Sequence, residues 1–123
     1  MRQIVMGILI LMCVFILGAV AIAENQLGIA DTYRVTFSQN VRVADTLLPQ
    51  GDYEIRHVME GADHIMVFHQ LKTRKPVEVR AKCTLVPLSE KAKIDQKTYE
   101  LNAAKELVLH ELVFNGDRAK HVF

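Results

Sequence analysis

Hydrophobic and polar residues alternate with a period of two through much of the chain beyond position 31. Tyr33, Val35 and Phe37 interleave with Arg34, Thr36 and Ser38, and Val41-Arg42-Val43 resumes the pattern after Gln39-Asn40. This period sends successive side chains to opposite faces of a strand, one face buried and one solvated. Residues 76–88 show it most clearly: Val77, Val79, Ala81, Cys83 and Leu85 fall on one side, and Glu78, Arg80, Lys82 and Thr84 on the other. Cys83 therefore belongs to the apolar face and reads as a small buried hydrophobe. Residues 53–59 and 64–71 are two more runs of β-formers, joined by the turn Glu60-Gly61-Ala62-Asp63.

Turn chemistry punctuates these runs. Ala44-Asp45-Thr46 reads as a turn, and Pro49 with Gly51 suits the first corner and the last position of a type I turn. Residues 72–75 form a polar loop, and 89–97 a longer one with a helical turn capped by Ser89. Residues 98–101 make a short strand. For 106–114 a strand competes with a helix over 103–112, in which Val108, Leu109 and Leu112 would share a face. A strand is preferred there, because Asn115-Gly116-Asp117 signals a hairpin onto which 119–123 can pair back. The sum is about seven or eight short strands, which predicts a single antiparallel β-sandwich or small barrel.

The first residues are of another kind. Arg2 precedes an unbroken apolar run from Ile4 to Leu17, and Ala21-Ile22-Ala23 offers the small-x-small pattern of signal peptidase. Residues 1–23 are expected to be a cleaved signal peptide, 24–31 a flexible leader and 32–123 the β domain. An uncleaved anchor is the rival, since an apolar stretch of about 20 residues can span a bilayer. A lipoprotein is disfavoured by the bulky Met12 before Cys13. The expectation is a periplasmic or extracellular protein with no membrane segment after cleavage.

Charge and cysteine narrow the options. Without Arg2 the mature chain carries 14 Lys and Arg against 14 Asp and Glu, interspersed. No electrostatic footprint for nucleic acid or an anionic membrane is present. Cys83 stands alone in the mature chain, so an internal disulfide is excluded and packing must hold the core. Association into a homodimer would add buried surface.

The stretches Val41-x-Val43, Leu48-Pro49-x-Gly51-x-Tyr53, His57-Val58-Met59-Glu60-Gly61-x-x-His64 and Glu111-Leu112-x-Phe114-x-Gly116 are joined by a closing His121-Val122-Phe123. Together they resemble a group of small exported β-domain proteins of soil bacteria, acidobacterial in type. The resemblance covers most of the mature chain. It implies a β fold and export, and it carries no catalytic residue over.

The sharpest chemistry is the histidine-rich stretch 56–70. If 60–63 form the loop, Met59 opposes His64 and His57 opposes Met66, which makes His57 and His64 diagonal neighbours on one face. A divalent transition metal could be held there by His57 and His64, with Glu60 adding an oxygen. His69 points to the opposite face, toward Glu54, and a one-residue slip would instead group His57 with His69. The plain alternative is that each imidazole is a strand residue hydrogen-bonded to backbone or water. His110 and His121 can join only through the three-dimensional fold. Met59, Met66 and Phe68 are candidates for an adaptable binding surface, though core filling competes.

Enzyme signatures are thin. Ser38 and Ser89 lack a nucleophile-elbow context, and no Gly-rich phosphate loop, zinc CxxC or dinucleotide fingerprint occurs. The sequence thus favours a non-catalytic binding or structural module of the cell envelope, without a cofactor, serving an envelope protein or small ligand. A metal-binding or small hydrolytic protein centred on His57 and His64 is the alternative.

Overall fold

The computed structural model describes residues 29–123, so the expected signal peptide (1–23) and most of the expected leader (24–31) lie outside the described residues. Nine strands follow in order: β1 (Thr32–Phe37), β2 (Val41–Val43), β3 (Thr46–Leu48), β4 (Gly51–Glu60), β5 (Asp63–Gln70), β6 (Glu78–Pro87), β7 (Gln96–Leu101), β8 (Leu107–Val113) and β9 (Ala119–Val122). No helix occurs among the described residues, and none is therefore long and apolar enough to cross a membrane.

One continuous sheet carries all nine, in the order β1-β4-β5-β6-β9-β8-β2-β3, with β7 also pairing β8. β6 changes partner midway. Its residues up to Cys83 pair β5, and from Thr84 onward they pair β9. The sheet folds over on itself there, so that Tyr33 of β1 stacks on Phe114, just past β8, at 3.9 Å. Both halves of the sheet feed one core. Phe37, Leu48, Tyr53, Ile55, Met66 and Phe68 are each at most 1 % exposed. Burying such a side chain is worth about 1.5–3 kcal/mol.

The antiparallel expectation needs correction at one place, and the barrel expectation fails. β2 runs parallel to β8, pairing at Val41 and Arg42 with Leu107 and Val108. Most of the domain separates them in sequence, and a long connection is what parallel pairing requires. The barrel does not close: the strand order ends at β1 and β3, and β7 pairs only β8, so β1 and β7 face each other unpaired. Only a side chain crosses between them, Lys97 Nζ donating to the Thr36 carbonyl at 2.9 Å.

Two local expectations also change. The residues read as part of a turn around position 46 contain the short strand β3, whose Thr46 pairs Val43. The helical turn at Ser89 does not form. The Ala92 amide instead donates to the Asp117 carbonyl and the Gly116 amide to the Ala92 carbonyl, so the loop is satisfied by the β8–β9 connection.

Candidate functional site

The β4–β5 hairpin places the first two candidates. Gly61 adopts φ of 60° at the first corner of a two-residue turn, while Ala62 stays at negative φ. That combination matches the strand twist, as type II′ turns do. It fixes Met59 opposite His64 and His57 opposite Met66. Side-chain parity then puts His57, His64 and Met66 on the inner face. The next strand adds Cys83, directly opposite His64.

His57 Nε2 and His64 Nδ1 lie 3.0 Å apart, with the rings stacked at 18° and centres 5.1 Å apart. The pair shares one proton in a hydrogen bond, whichever nitrogen carries it. The fold-over of the sheet brings in a third imidazole from β9. His121 opposes both Leu85 and Leu112 and is fully buried, with its ring centre 5.9 Å from that of His57.

A chain of polar groups runs inward from there. Cys83 Sγ faces His121 Nδ1 at 3.8 Å, and His121 Nε2 lies 3.7 Å from Asp117 Oδ2. That gap is too long for a hydrogen bond. His121 Nε2 therefore has no partner among the described residues, a costly state for a buried nitrogen. Asp117 is itself buried and accepts a 2.7 Å hydrogen bond from the Tyr33 hydroxyl, which in turn accepts from the Ala30 amide.

Electrostatics follow from this enclosure. Burial, and then charge on His57 and His64, pushes His121 down to about 4. Burial followed by His64 also lowers His57. The Cys83 thiol is pushed up to about 11 by burial, and burial raises Asp117 against the lowering effect of Tyr33. His57 and His121 are thus neutral near pH 7 and the Cys83 thiol stays protonated. No thiolate–imidazolium pair forms, although cysteine, histidine and aspartate lie in line as in a nucleophilic triad.

The other sequence candidates land elsewhere. Glu60 points to the outer face and pairs with Arg80, so the structure does not bring it to His57 and His64. Met66 and Phe68 are fully buried and only Met59 is exposed, at 51 %, so the three present no joint binding surface. Met66 and Phe68 lie inward along β5 under the fold-over, whereas Met59, of the same parity, stands at the turn end of the hairpin. His69 lies opposite Glu54 as expected and also bonds Glu78 at 2.8 Å. His110 sits at the surface within 4 Å of Glu100 and Glu111.

Sequence reasoning left Asp117, Tyr33 and the joining of His121 unassigned to any site. The one available signal was His121 standing two positions from Ala119 and Phe123 in an otherwise apolar alternation. As the side chains stand, no group of three or more His, Cys, Asp or Glu among the described residues is ready to hold a metal ion. A separate cleft of about 290 Å³ opens between the edges β1 and β7, lined by Arg34, Thr36, Asp95 and Lys97 over Phe114, and contains no histidine.

No family model, curated protein or solved structure matches the chain.

Proposed function

We propose that the protein is an exported, non-catalytic binding or structural module of the cell envelope, built as a β-sandwich from its folded-over sheet. One observation carries the non-catalytic part. The sole cysteine–histidine–aspartate alignment among the described residues is sealed in the core, with its thiol held protonated and its imidazole too weak a base to take that proton. The resemblance to small exported β-domain proteins and the apolar first 23 residues support export. The unpaired edges β1 and β7, flanking a cleft, suit a partner that adds a strand or a small ligand that fills the gap.

The direct test has two arms on the protein expressed from its full chain. Localisation by fractionation should place it outside the cytoplasm, and cytoplasmic residence would sink the export claim. A thiol-directed probe should leave Cys83 unlabelled until the protein is unfolded. Rapid labelling of the native protein with coupled hydrolysis of an activated ester would overturn the non-catalytic claim.

A second reading, a metal site centred on His57 and His64, is favoured by the 3.0 Å approach of their ring nitrogens.

A further inference from the structure

Two adjoining pairs, His57 with His64 on the hairpin and Cys83 of β6 with His121 of β9, each have about the spacing of two donors on one ion. Two imidazoles on one tetrahedral Zn(II), at Zn–N of about 2.0–2.1 Å, hold their ring centres about 5 Å apart, and a nitrogen and a thiolate sulfur on that ion stand about 3.6 Å apart. The His57 ring centre lies 5.1 Å from that of His64 and 5.9 Å from that of His121. Cys83 Sγ lies 3.8 Å from His121 Nδ1. A different observation points the same way. The buried and unpartnered His121 Nε2 faces Asp117 Oδ2 at 3.7 Å, and Asp117 is anchored by Tyr33. With Nδ1 on an ion, the Nε2–H of His121 would be the donor to that carboxylate, the arrangement that orients metal-bound imidazoles.

We propose that His57, His64, His121 and Cys83 form a site for a soft-to-borderline transition ion, Zn(II) or Cu(I). This rests on the metal reading of the His57–His64 pair and goes beyond it, replacing Glu60 with ligands from β6 and β9. As the side chains stand no three of these donors meet, so the His57 and His121 rings would have to turn for the four to converge on one ion. On binding, the Cys83 S–H bond breaks, its proton leaves to solvent and a sulfur–metal bond forms. The proton shared by His57 and His64 moves to a ring nitrogen that does not ligate. No electron is transferred. Half-buried His64 at the hairpin end gives the ion its route from solvent. Met59, opposite His64, and Met66, opposite His57, add soft thioether surroundings that favour these ions over Ca(II) or Mg(II).

The test uses the protein expressed from its full chain, stripped with chelator and then titrated with Zn(II), with Cu(I) under anaerobic reducing conditions, and with Co(II) as a coloured substitute for Zn(II). The expected result is one ion per chain and a thiolate-to-cobalt charge-transfer band. Cys83→Ser should abolish that band and weaken Zn(II) or Cu(I) by roughly 10–100-fold, and His121→Asn should weaken it similarly. If His121→Asn fails to fold, the near-isosteric Cys83→Ser carries the test, its fold checked by circular dichroism. Whichever of Zn(II) and Cu(I) binds more tightly identifies the ion. Binding lost in His57→Ala with His64→Ala, yet unchanged in Cys83→Ser and His121→Asn, overturns this inference and leaves the two-histidine reading standing. No bound ion in the wild type, or Ca(II) and Mg(II) alone, overturns both.

Discussion

His121 is the residue on which stability and chemistry meet. Its imidazole is fully buried and one nitrogen lacks a partner, so the folded protein takes up a proton there only near pH 4, whereas the unfolded chain does so near 6.5. Between those values the unfolded state binds more protons, so stability is present above about pH 6.5 and falls as pH drops toward 4. The difference corresponds to about 3 kcal/mol. His57, also lowered, adds to the loss, while Asp117, raised by burial, opposes it at the acid end. Urea unfolding of chelator-treated protein across this window should show the decline. His121→Leu should flatten it and cost little at pH 7, because it removes an unpaired buried polar atom together with its ring contacts to Tyr33 and Phe114. A wild-type curve flat from pH 7 to 4 would refute the assignment. The methionines divide just as sharply. Met66→Ala should cost about 2–5 kcal/mol by leaving a core cavity. Met59→Ala, on a side chain 51 % exposed, should stay within about 0.5 kcal/mol in the same measurement.

At the scale of elements, the β4–β5 hairpin was legible and β2 with its neighbours was not. Alternation and a short turn determine both parity and register in a hairpin, so His57 and His64 could be paired on one face from spacing alone. The same parity correctly sent His69 outward and Cys83 inward. Pairing between β2 and β8 is long-range and parallel, and three-residue strands carry too little pattern to announce it. His121 reaches the histidine pair only because β6 leaves β5 for β9 midway, a change of partner that no local spacing encodes. Where turns are concerned, a non-glycine residue at positive φ marks stored strain. Ala44, at φ of 51°, turns β2 into β3. The left-handed conformation costs such a residue about 1 kcal/mol. Ala44→Gly should therefore leave thermal stability unchanged or raise it slightly, since glycine's larger unfolded-state entropy offsets part of the relief. Gly61→Val, placing a β-branched residue at φ of 60°, should lower it by 1 kcal/mol or more in the same melting experiment.

For the whole molecule the governing feature is that the sheet folds over without closing. A closed barrel has no edges, whereas here β1 and β7 each keep a row of unpaired backbone groups beside a cleft. Without a disulfide among the described residues, such edges need other protection against pairing with a second molecule. Charge supplies it. Lys97 projects from β7 to cap the Thr36 carbonyl of β1, and Glu100 stays exposed along the same strand. Lys97→Ile removes the cap and the charge together and adds β-propensity, at a position that pairs with Leu112. The expected outcome is a concentration-dependent rise in dimers and larger species by sedimentation velocity, reversed by adding a lysine at Thr98 of the same edge. If Lys97→Ile instead sediments as the wild type does at every concentration, edge protection by Lys97 is wrong.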